Sequence, residues 1–170
     1  MRSIRRIFSV GTAALVLGAG LVAGSSGTAQ AAASDCTGGA NGFTDIPDSL
    51  SGRGVAGAGA VVLEFPTNVP YAIASYAMQT GTVGGRQMGW GVLTTSSSTW
   101  GPGAVGRVWM DVTNDGKNSW IQCGPFDARG GARITTAAYP TSSSASRAFR
   151  VCAQVVSPSP ITGITCTPWW

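Results

Sequence analysis

The 170-residue chain contains no histidine. That removes the Ser-His-Asp and Cys-His arrangements of nucleophilic catalysis, along with the usual general base near neutral pH. Charge is scarce as well: only seven residues are acids and charged residues make up 11% of the chain. A two-carboxylate hydrolase would have to draw on Glu64, Asp111 and Asp115. Asp115 stands in a turn sequence, however, and Asp111 has a simpler role beside Arg150. The glycines of GVAGAG (54–59) lack the Lys-Ser/Thr of a phosphate cradle, and no helical pattern follows them. There is no C-x-x-C pair either, which, without histidine, leaves no zinc site. The chain reads as a non-enzyme with no metal or other cofactor.

The first thirty or so residues read as an export signal. Arg2, Arg5 and Arg6 stand near the start without an acid, an uncharged apolar run covers Val10 to Ala23, and small residues fill Gly24 to Ala33. Two A-x-A sites overlap there, Ala29-Gln30-Ala31 and Ala31-Ala32-Ala33, so the expected mature start is Ala32 or Ser34. The apolar run is too short and too glycine-diluted for a membrane anchor, which needs about 20 apolar residues. Arg5-Arg6-Ile7-Phe8 resembles a twin-arginine core, but Ile4 and Ser9 do not extend the pattern, so the general secretory route is expected. The protein is therefore expected outside the cell, with no membrane attachment after cleavage.

Removing the leader changes the charge reading. The whole chain carries +4, but from Ala32 onward eight basic residues face seven acids, a net charge near +1. No electrostatic footprint for nucleic acid remains. About 140 residues is one domain's worth, expected as a Gly-rich amino-terminal arm over 34–58 and a β-domain over 59–170. All four cysteines, Cys36, Cys123, Cys152 and Cys166, lie in this part. An even number in an oxidising compartment implies two disulfides, with three possible pairings.

Short runs rich in Val, Ile, Thr and aromatics recur between turn signals. Strands are expected over 60–65, 71–80, 86–95, 106–113, 118–126, 133–139, 147–156 and 161–167, with Gly84-Gly85 as a turn. Asn114-Asp115-Gly116-Lys117 predicts a two-residue hairpin turn, because Asp-Gly suits the positive φ values of a type I′ turn. Centred there, Val112 pairs with Ser119, Asp111 with Trp120, Met110 with Ile121, Trp109 with Gln122 and Val108 with Cys123. Alternation then puts Val108, Met110, Val112, Ile121 and Cys123 on the core face, and Arg107, Trp109, Asp111, Trp120 and Gln122 outward. In 147–156, Phe149, Val151, Ala153 and Val155 point inward, with Arg150, Cys152 and Gln154 outward. Together these runs predict an all-β, antiparallel sandwich, Ig-like or related. Facing favours Cys152–Cys166 across a final hairpin and Cys36–Cys123 pinning the arm, and a single bulge would reverse the assignment.

The stretch RVWMDVTNDGKNSWIQCGPF, followed by AFRVC and a terminal CTPWW, resembles a family of small exported actinomycete proteins over about Gln79 to Trp170. That resemblance implies export and brings no activity with it. The 113–120 segment also faintly resembles an Asp-box hairpin of β-propeller enzymes, but its glycine is one place early and there is one copy, so turn chemistry accounts for it.

The candidate ligand-binding residues are Trp109, Asp111, Trp120, Gln122 and Arg150. Indoles among a carboxylate, an amide and a guanidinium suit a polysaccharide or cell-envelope polymer, and equally an extracellular protein partner. The same side chains would serve as a structural ladder, with Arg150 over Trp109 and Asp111 holding the guanidinium. A protein-directed effector, such as a protease inhibitor or competition toxin, is the alternative. Its presenting loop would be Cys123-Gly124-Pro125-Phe126 or Ser157-Pro158-Ser159-Pro160. Trp169 and Trp170 are expected as a packed tail, and Trp90 and Trp100 as core and loop anchors.

Overall fold

Gly84 and Gly85 take φ of +57° and +79°, the backbone a tight type I′ turn demands, and they join two long strands. In the computed structural model, which describes residues 32–56, 61–64, 72–96, 105–157 and 163–170, these are β3 (Ala72–Val83) and β4 (Arg86–Thr95). Val83 opposes Arg86, and the pairing runs unbroken to Ala74 opposite Thr95. The expected leader up to residue 31, Trp100 and Pro158 to Pro160 lie outside the described residues.

Two antiparallel sheets form around this hairpin and its counterpart. The first places β1 (Arg53–Gly54) beside β3, β3 beside β4, and β4 beside β7 (Arg133–Thr135); β2 (Val61–Glu64) also pairs with β3, and β8 (Tyr139–Pro140) with β4. The second has the order β10-β9-β5-β6, from β5 (Val105–Thr113), β6 (Ile121–Arg129), β9 (Ala148–Ser157) and β10 (Thr165–Cys166). Tyr76, Met78 and Leu93 of the first sheet share one buried core with Val108, Met110, Val112, Phe149, Val151 and Val155 of the second. This is the expected antiparallel sandwich. Every residue predicted to face inward on β9 is buried.

Both disulfides are the expected ones, Cys36–Cys123 and Cys152–Cys166. Cys152 opposes Cys166 directly across β9 and β10, as alternation requires of two outward side chains.

The β5–β6 connection corrects the hairpin expectation. Met110 faces Cys123, Asp111 faces Gln122 and Val112 faces Ile121, a register displaced by two residues. Residues 114–120 form a long loop instead of a two-residue turn, and Trp120 lies in that loop rather than opposite Asp111. The cause is the Asp115 carboxylate. It accepts hydrogen bonds from the Asn118 and Ser119 amides and from the hydroxyls of Thr113 and Ser119. Positive φ falls on Gly116 and Lys117 rather than on Asp115 and Gly116. Because side chains alternate with period two, a slip of two leaves every inward residue inward.

Farther along β6, Val108 opposes Phe126, so Gly124 and Pro125 together face Trp109 in a bulge. A Cβ on Gly124 would lie 2.9 Å from both the Trp109 Cβ and the Val108 carbonyl, and its φ is +118°; only glycine fits. The 123–126 segment is thus part of a paired strand, not the protruding loop that an inhibitor would present. The predicted 133–139 strand divides into β7 and β8 around Thr136, whose amide and hydroxyl both bond to Gly91.

The amino-terminal arm is an integral layer. Phe43 and Val55 belong to the main core, while Ile46 and Leu50 pack on Met88, Trp90 and Ala138 against the outer face of the first sheet. Polar bonds hold the arm there. Asp48 accepts from the Thr135 amide at 2.7 Å and from its hydroxyl, and Arg133 donates to the Leu50 carbonyl. Gly52 passes so close to Trp90 that a Cβ would stand 2.5 Å from the ring. Among the described residues, no helix is long and apolar enough to cross a membrane.

Candidate functional site

The outer face of the second sheet carries the candidate residues, and the structure divides them into two clusters. Trp109 opposes Cys152 and Arg107 opposes Gln154 across β5 and β9. Trp109, Arg107 and Gln154 line, with Gln122, Pro125, Ile164 and Ala32, a pocket of about 380 Å³, within the usual range for small-ligand pockets. Trp109 is only 9% exposed. It lines the pocket as a largely buried residue, with its Cα and Cβ against the bulge at Gly124.

Two walls come from distant parts of the chain. The Cys36–Cys123 disulfide anchors a short turn, Ala33–Asp35, against β6 and so brings Ala32 to the rim. The Cys152–Cys166 disulfide anchors β10 and with it Ile164, which is 61% exposed. Arg107 pairs with Asp127 at 2.7 Å, both half-exposed, a pair that contributes little to stability in water.

The second cluster is built on Arg150. Its Nε donates to Asp111 Oδ2 at 2.7 Å, the pairing expected from their opposed positions on β5 and β9. Its guanidinium lies 5.1 Å from the Trp120 ring centre and 4.7 Å from that of Trp169. The two indoles meet edge to face at 6.3 Å. The expectation that Arg150 covers Trp109 is therefore corrected: the displaced register moves Trp120 into the loop, and the carboxy-terminal segment brings Trp169 alongside. Trp170 is bound as well, exchanging both backbone hydrogen bonds with Phe149 and stacking on its ring.

Asp111 is almost completely buried, and its Oδ1 has no hydrogen-bond partner among the described residues. Burial pushes its carboxyl above the usual range, and the bond and charge of Arg150 pull the other way. Asp115 differs: its hydroxyl and amide donors, Ser119 foremost, hold it down at about 2. The two carboxylates are held in different ways. One is sealed under Arg150, and the other is saturated by its own loop.

Five candidate residues thus share one face without forming one site. Trp109 and Gln122 line the pocket, while Asp111, Arg150 and Trp120 form the adjoining stack. Arg107 and Gln154 were legible as outward neighbours from alternation alone. Pro125, Ile164, Ala32 and the placement of Trp169 were not, since a bulge and two disulfide-held termini carry no periodic signal. No family model, curated protein or solved structure matches the chain.

Proposed function

We propose that the protein is an exported, non-catalytic binding module that takes a sugar unit of an envelope or environmental polysaccharide in the pocket that Trp109 lines. The observation that carries this reading is the pocket itself. Trp109, Gln122, Gln154 and Arg107 line it together with Pro125 and Ile164, an aromatic residue among amides, a guanidinium and apolar side chains. A pyranose presents C–H groups on its faces and hydroxyls around its rim. Such a ring matches an aromatic residue set among polar groups. Trp120, 49% exposed, and Trp169 extend the surface for neighbouring sugars of a chain.

Two disulfides and the basic, apolar and small-residue order of the leader support an extracellular setting. The absence of histidine and the commitment of Asp111 and Asp115 to other partners support a non-catalytic role.

The test is binding of the purified, disulfide-intact protein to insoluble polysaccharides, including bacterial cell wall. Gln122→Ala and Trp109→Phe are each expected to weaken retention about tenfold or more, equivalent to about 1.4 kcal/mol. Unchanged retention by both overturns the reading. A protein-directed role draws on a different observation, the exposed Trp120 that flanks Arg150 together with Trp169. Under that reading Trp120→Ala abolishes binding to a protein target while the Gln122 variant binds normally.

A further inference from the structure

Two leader-cleavage positions, after Ala31 and after Ala33, satisfy the small-residue rule equally well. The fold distinguishes them. The Ala32 nitrogen donates to Asp35 Oδ2 at 2.9 Å, and Asp35 returns a backbone bond to the Ala32 carbonyl. The Ala33 carbonyl accepts from the amides of Cys36 and Thr37, just where Cys36 is tied to Cys123. A cut after Ala33 removes both of these carbonyls, leaves Asp35 without its partner and takes Ala32 from the wall of the Trp109 pocket.

We propose that the Ala31–Ala32 peptide bond is the processing site, and that the new α-ammonium of Ala32 forms an ion pair with Asp35 at the rim of the Trp109 pocket. The step is hydrolysis by an endopeptidase. Water adds its hydroxyl to the Ala31 carbonyl, which leaves as a carboxylate, and the Ala32 nitrogen gains protons to become an ammonium. The existing hydrogen bond to Asp35 then becomes charge-assisted. Ala32 lines that pocket, so the new terminus stands at its edge. Cleavage there replaces a continuing chain with a small cation and completes the binding surface. This inference rests on the export reading.

The experiment is intact-mass and amino-terminal peptide analysis of the full chain expressed in a secreting bacterial host. The expected mature protein begins Ala32-Ala33-Ser34-Asp35-Cys36. A product that is exported but begins at Ser34 overturns the inference and leaves export standing. A product kept in the cell with its first thirty-one residues intact overturns both. Titration of the terminal amine, followed by its reactivity with an amine-specific acylating reagent, tests the ion pair. The mature protein should show an amine pKa above the ordinary range of about 7.7–8.0, and Asp35→Asn should return it to that range. Identical titration in the two proteins overturns the pairing.

Discussion

The two outward sheet faces of this sandwich are built from similar residues and have opposite fates. On the first sheet, Trp90 and Met88 lie beneath the arm that carries Ile46 and Leu50, and Trp90 is 1% exposed. On the second, none of the described residues forms such an arm; Trp109 lines an open pocket and Trp120 stands half in solvent. An outward indole of a strand is therefore sealed, as Trp90 is, or left beside a pocket, as Trp109 is, according to what is laid over it. The arm has no periodic pattern that announces its destination. Its polar anchors are few, Asp48 to Thr135 and Arg133 to Leu50 among them.

The comparison can be broken in order of expected effect. Unlinking Cys36 from Cys123 with a double serine variant releases the start of the arm. In the chain-entropy account the 87-residue separation is worth about 4.6 kcal/mol, against about 3 kcal/mol for the 14-residue separation of Cys152–Cys166. Urea unfolding of the two double variants should show that order. Trp90→Ala should cost about 3–5 kcal/mol, as expected of a fully buried aromatic. A loss below about 1 kcal/mol would mean that the covered face is not a working layer.

On the open face the largest stability effect should come from Arg150→Ala, about 2–3 kcal/mol at neutral pH, because it strands the buried Asp111 carboxylate. Its pH dependence follows from burial, which holds the Asp111 pKa above the ordinary value. The folded state thus binds the proton more tightly than the unfolded chain, so the group favours folding at low pH and loses that contribution as pH rises. Removing Arg150 raises the folded pKa further, so the penalty should be largest at pH 7 and shrink towards pH 3. Trp120→Ala should cost under about 1 kcal/mol, since it forfeits a solvent-exposed cation–π contact. The smallest effect belongs to Asp115, held at about 2. A depressed pKa favours folding above the ordinary carboxylate range and loses that as pH falls through about 2, so Asp115→Asn should flatten thermal stability between pH 4 and 2.

Much of the fold was legible because its cues are local. Phe149, Val151, Ala153 and Val155 alternate with Arg150, Cys152 and Gln154, and that period alone assigned both faces of β9 and favoured one disulfide. The β5–β6 faces survived an error in the turn because the register moved by two. Legibility failed wherever a side chain competed with the backbone, as Asp115 does in capturing the Asn118 and Ser119 amides, or where Gly124 and Pro125 insert a bulge. It failed too for the Trp120–Arg150–Trp169 stack, whose members meet only after β9 and the carboxy-terminal segment are laid side by side.

What the amino-acid sequence determined unaided was the class of fold and the inward and outward sets of the central strands, and it favoured the cysteine pairing that the structure holds. The first two rest on a two-residue period that any short window contains. Only the tertiary structure decided which outward face was covered, that Trp109 came to line a pocket while Trp120 stacked on Arg150, and that Ala32 and Ile164 became its walls. Those outcomes depend on contacts between segments far apart in the chain. No local pattern records them, because each segment's own geometry is compatible with several places to lie.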